Sequence, residues 1–102
     1  MPNFTVRFHR LASQEYRRAL GWYARRSLGA ARHFRDEVIR LIQRMEQDPD
    51  SGTVYRLPNR WMRVRRLPYL LYYGPIGAGE VLIYAVAHAS RRPGNWLRRT
   101  RP

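Results

Sequence analysis

His88, Arg91 and Arg92 follow a β-branched and aromatic run, Val81 to Ala87, and Arg63 and Arg65 alternate on a second run upstream. Arginine suits a phosphodiester, because its planar fork binds two oxygens and stays charged at any working pH. Histidine is the one side chain whose ordinary pKa lies near neutrality. If the two runs pair in one sheet, Arg63, Arg65 and Arg91 converge near His88 and Tyr84. RNA cleavage through a 2′-hydroxyl needs a general acid and a general base. His88 would be one, and Tyr84, or one of Tyr72 and Tyr73, the other. Trp96 is suited to stack on a base, and Arg98 adds charge beside it. The plainer alternative makes His88 a strand-end residue bonded to backbone, and Trp96 an anchor for the tail.

Other chemistries find less support. His9, His33 and His88 lie on three separate elements, without the spacing of a helical ligand motif, so no metal is expected. No Gly-x-Ser-x-Gly turn offers a nucleophile. Gly77-Ala78-Gly79 sits in a hairpin connection and leads into no helix, so it is not a phosphate loop. No cofactor is implied. The chain has no cysteine, which excludes disulfides and makes the cytoplasm the default compartment. It also lacks the roughly 18 consecutive apolar residues of a membrane span.

Charge points to a polyanion or an acidic partner. The formal net charge is +13, and all 20 basic residues are arginine. Residues 1–50 carry 10 arginines against 6 acids, whereas residues 51–102 carry 10 against Glu80 alone. The alternative is a solvated basic surface, as in a non-catalytic nucleic-acid-binding module.

The elements that must position these residues fit one domain over residues 1–102, with 93–102 a basic C-terminal tail. Phe4, Val6 and Phe8 alternate with Thr5 and Arg7, which predicts a short strand. Ala12, Tyr16, Ala19, Leu20 and Tyr23 recur at helical spacing. After a break with Ser27 as N-cap, Ala31, Phe34, Val38, Leu41, Ile42 and Met45 mark a second helix. Asp36 and Arg40 are spaced to pair along it, and Asp48-Pro49 ends it. Thr53–Leu57 reads as a short strand. Trp61–Arg66 alternates, Leu70–Tyr73 has strand composition, and Pro75–Gly79 suits a hairpin loop. Val81–His88 is apolar on both faces and predicts a central strand. The result is an α+β fold: an N-terminal strand, an antiparallel helical hairpin, and a three- to four-stranded antiparallel sheet with the helices on one face.

At this point the chain resembles the RelE/ParE family of toxins from bacterial type II toxin–antitoxin (plasmid stabilisation) systems. The resemblance runs through FTVRFHRLASQEYRRALGWYARRSLGAARHFRDEV and RVRRLPYLLYYGPIGAGEVLIYAVAHASRRPGNWLRR, nearly the whole chain. It implies a compact α+β toxin that inhibits growth until an acidic, partly disordered cognate antitoxin wraps it. The antitoxin is expected on the exposed side of the helical hairpin, near Tyr16, Tyr23, Phe34 and Val38. The His-x-x-Arg-Arg-Pro ending and the tail resemble the ParE-like branch, which poisons DNA gyrase and has no known active site for hydrolysis. Target contacts would then fall on Arg91, Arg92, Trp96 and Arg98. The RelE-like branch, ribosome-dependent mRNA endonucleases, is the alternative. It would use His88, Arg63, Arg65, Arg91 and Tyr84, but the family's lysines are missing and arginine is a poor proton carrier at neutral pH.

Overall fold

The computed structural model describes residues 3–91 and 95–100. In chain order it has strand β1 (Thr5–Phe8), helices α1 (Arg10–Ala24) and α2 (Leu28–Gln47), and a 3-10 turn at Pro49–Ser51. Strands β2 (Thr53–Val54), β3 (Arg60–Arg63), β4 (Tyr69–Pro75) and β5 (Glu80–His88) follow, then a second 3-10 turn at Asn95–Thr100.

Local chemistry accounts for the helix ends. His9 caps α1, its Nδ1 accepting from the Leu11 N–H at 3.0 Å. Burial and the nearby Arg99 and Arg10 charges lower the His9 pKa, which favours the neutral ring that the cap needs. Ser27 caps α2, its Oγ accepting from the Ala30 N–H at 3.2 Å. Asp48 ends α2, and Pro49 continues as a 3-10 turn. The apolar stripes of the two helices face the sheet: Ala12, Ala19 and Tyr23 from α1, and Ala31, Phe34, Val38, Leu41 and Met45 from α2 are all buried. The Asp36–Arg40 pair does not form. Arg40 instead takes Glu37, one residue closer and one methylene longer, at 3.0 Å, and Asp36 pairs with Arg35.

All five strands form one sheet in the order β1-β5-β4-β3-β2. The antiparallel part is the expected one. The N-terminal strand also joins it, parallel to β5, with Val6 opposite Val81 and Phe8 opposite Ile83. β5 is therefore central. β2 is shorter than the expected Thr53–Leu57, because the chain turns back after Val54. Arg56 adopts φ 49°, and the Tyr55 N–H donates to the Asn59 carbonyl at 2.8 Å. In the β4–β5 hairpin, Gly77 and Gly79 take φ of 72° and 73°, where a side chain would be strained.

One irregularity in β5 governs the site. Tyr72 pairs with Ala85, but Tyr73 pairs with Ile83, leaving Tyr84 as an extra residue. Such a bulge places two successive side chains on the same face and shifts the alternation beyond it. Val81, Ile83 and Val86 accordingly join the helix-side core. Tyr84, Ala85 and Ala87 join a second cluster on the opposite face, with Tyr72 and Trp96. His88, next in the alternation, falls on the helix side, away from Tyr84.

The second cluster is why β5 is buried on both sides. Its cover is the tail: the Trp96 ring lies 5.0 Å from that of Tyr72. The Arg99 guanidinium donates to the Glu15 carboxylate at 3.0 Å and to the Tyr84 carbonyl at 3.1 Å. The Tyr84 hydroxyl is buried with no hydrogen-bond partner among the described residues, and burial raises its pKa. Tyr84→Phe should therefore leave stability unchanged or raise it by about 1 kcal/mol, since the lost hydroxyl bonds nothing. Chemical denaturation measures this. A loss of more than about 1 kcal/mol would mean the hydroxyl has a partner after all.

Candidate target-binding site

His88 ends β5 beside α1. With Arg18 and Glu15 of α1, Tyr69 of β4, Val86 and Arg91, it lines a surface depression of about 80 Å³. The ring of His88 stands edge-on to Tyr69, with centroids 5.5 Å apart. Ser90 fixes that ring: its backbone N–H donates to His88 Nδ1 at 3.1 Å, and its Oγ lies 2.8 Å from the same atom. A backbone N–H can only donate, so Nδ1 is an acceptor and the ring proton sits on Nε2. Glu15 is committed inward, its Oε1 accepting from the Val86 N–H at 3.0 Å and from Arg99.

The arginines expected to converge here divide. Arg63 lies between Met62 and Val64, both in the helix-side core, so alternation turns it to the opposite face. It stands opposite Leu70, and Leu70 opposite Ala87. Arg65 is in the β3–β4 turn, where its carbonyl lies 2.8 Å from His33 Nε2. Arg91 alone stays with His88. Tyr84 is fully buried on the far face, which removes it as a proton carrier for His88. The five-residue nuclease constellation is thus not assembled. The bulge at Tyr84 is the reason, because an uninterrupted strand would put His88 and Tyr84 on one face.

The other candidates also sort by burial. Trp96 is only 4% exposed, so it anchors the tail to Tyr72 and cannot present a stacking face. Arg98 is exposed within the same turn, and Arg92 lies outside the described residues. Of the four hairpin residues, Tyr23, Phe34 and Val38 are core. They face the sheet because the stripe that marks an amphipathic helix is the side it buries. Tyr16 is half-buried. Together with Val38, Phe8, Ser13, Ile39 and Ile42 it lines a mostly apolar groove of about 190 Å³ on the hairpin. Among the described residues no three His, Asp or Glu side chains are grouped to hold a metal. Sequence reasoning missed Arg18 and Glu15. Their only signal was off-stripe charge on α1, which says nothing of which strand lies beneath.

The family model for the ParE toxin of type II toxin–antitoxin systems (parDE) matches residues 6–93, through both helices and all five strands. The chain belongs to the ParE toxin family. A solved structure described as "Chromosomal ParDE TA system from P. aeruginosa" shares the fold of this ParE-family chain, with a TM-score of 0.70 at 14% sequence identity. The match covers 85% of this chain and 97% of that one. No curated protein matches the sequence. The α+β layout and the type II toxin class expected from the ParE-like ending therefore hold for this ParE-family member. Among its described residues no helix is long and apolar enough to cross a membrane.

Proposed function

We propose that this toxin arrests growth by poisoning DNA gyrase in the cytoplasm and is silenced by a cognate acidic antitoxin. The observation that carries the choice of target is the separation of the groups that RNA cleavage would use. Arg63 and Tyr84 lie on one face of the sheet, whereas His88 and Arg91 lie at the edge of the other. In-line attack by a 2′-hydroxyl needs its proton carriers within about 3 Å of the reacting atoms, at most through one water. A poison of a protein–DNA machine needs only a surface of matching shape and charge. The net charge of +13 supports an acidic, partly disordered antitoxin that folds as it docks. The hairpin groove beside Tyr16 and Ile39 is its proposed seat, with an amphipathic segment laid along it. Ile39, 46% exposed, is the apolar residue there with most surface left to bury.

The test is a supercoiling reaction with purified gyrase, relaxed plasmid and ATP, titrated with the full chain. Loss of supercoiled product is expected, together with linear DNA released by denaturing the trapped complex. Restoration of supercoiling by the product of the adjacent reading frame is expected as well. Undiminished supercoiling at excess toxin, with transcripts cut on translating ribosomes, would replace this reading by the nuclease one.

A further inference from the structure

The depression at His88 has an electrostatic character that the gyrase reading does not use. Five arginines, Arg7, Arg35, Arg40, Arg60 and Arg99, lie within 4.0 Å of a carboxylate. Neither Arg18 nor Arg91 has such a partner among the described residues. Glu15, the one acid in the lining, is neutralised by Arg99 at 3.0 Å and bound to the Val86 N–H. The pocket mouth therefore keeps the charge of two guanidiniums. His88 adds a donor: Ser90 holds its Nδ1 as acceptor, so Nε2 carries the ring proton.

We infer that Arg18, Arg91 and the His88 Nε2–H form a binding site for a single backbone phosphate of DNA. The inference rests on the gyrase reading for its biological setting, where the DNA is the segment that gyrase holds. A volume of about 80 Å³ is far below the roughly 300–1,000 Å³ of a small-molecule pocket. It suits one anionic group of a larger ligand. Two guanidiniums and one N–H provide donors for both free oxygens of a phosphodiester. His88 and Tyr69 are also the wall of a second depression, lined further by Trp22, Tyr23 and Pro68. Arg26 lies over the Trp22 ring at 3.7 Å. An anion site beside an apolar, aromatic one matches the alternation of phosphate and sugar along a nucleic-acid strand. The scarcity of acids over residues 51–102 extends the attraction beyond this one contact.

The experiment is fluorescence anisotropy of a short labelled DNA duplex titrated with the full chain, without gyrase, from about 50 to 200 mM salt. R18Q/R91Q should weaken binding about tenfold at the upper end and reduce the slope of log K against log salt by about 1, the value for one phosphate contact. The charge-matched control R32Q/R56Q, exposed elsewhere, should change both far less. H88F should weaken binding a few fold and change the slope less than R18Q/R91Q, because one ring N–H is lost and both guanidiniums stay. Thermal unfolding of each variant guards against misfolding. No wild-type binding at about 50 mM salt overturns the site. So does equal weakening by both double variants, or a loss in R18Q/R91Q confined to binding of a glutamate-rich peptide. The two readings fail separately. DNA binding that depends on Arg18 and Arg91, without any gyrase inhibition, sinks the target and keeps the site. Gyrase inhibition with R18Q/R91Q unchanged on DNA does the reverse.

Discussion

Glu15→Ala should destabilise the fold by about 3 kcal/mol: the Glu15–Arg99 pair is only partly buried, so its own loss falls below the buried-pair range, and the orphaned Val86 N–H adds to it. That loss would lower Tm by roughly 12–24 °C in a domain of this size. β1 covers one edge of β5 only from Glu80 to Ile83. From Tyr84 onward that edge has no strand neighbour, and side chains take its place. The Glu15 carboxylate accepts the Val86 N–H, and Arg99 donates to the Tyr84 carbonyl. The two side chains, 15% and 19% exposed, also bind each other at 3.0 Å. Alanine at position 15 strands a guanidinium and a backbone N–H together, and each is costly to leave unpaired. Arg99→Met in the Glu15→Ala background should recover part of the loss, because methionine keeps the stem and removes the orphaned charge. Denaturant midpoints of the two singles and the double give the coupling. Strict additivity would mean that the pair contributes nothing.

Phe34→Ala should cost about 3–5 kcal/mol, the range for deleting a buried phenyl ring. Phe34 has no exposed surface. Its ring sits 5.5 Å from Tyr16, 5.4 Å from Tyr23 and 5.5 Å from Tyr69. It is thus the centre of the contact between the hairpin and the sheet. This variant should lose antitoxin affinity only through loss of fold, with a lowered Tm in the free toxin. Ile39→Glu is the informative contrast. A charge at the exposed groove should weaken antitoxin binding while leaving the free toxin's Tm within a few degrees. A Phe34→Ala chain that unfolds like wild type but binds antitoxin poorly would put Phe34 at the interface and refute this assignment.

Much of the fold could be read from local chemistry. Ser27 as a cap, Asp48-Pro49 as a stop and the glycines of the Pro75–Gly79 loop each act within a few residues. The helical stripes are equally plain, and they pack on the sheet as their spacing predicts; Tyr23, Phe34 and Val38, expected near the antitoxin's seat, belong to that buried face. Packing on the sheet has first claim on an apolar stripe. The site was legible only in part. His88 and Arg91 are three residues apart and stay together whatever the sheet does. The position of Tyr84 relative to His88 hangs on one extra residue in β5, and no single residue type announces a bulge. Glu15 and Arg99, at opposite ends of the chain, meet only through the tertiary fold. The parallel pairing of β1 is likewise a long-range outcome, since alternation marks a strand without naming its neighbour.

The most direct measurement follows a brief pulse of toxin expression in a bacterial host. Plasmid linking number and the 5′ ends of transcripts are read from the same cells. The account predicts relaxed plasmid and double-strand breaks trapped on gyrase, with transcript ends unchanged and with Tyr84→Phe as potent as wild type. New transcript ends inside translated codons, abolished by His88→Ala while plasmid supercoiling stays normal, would contradict it.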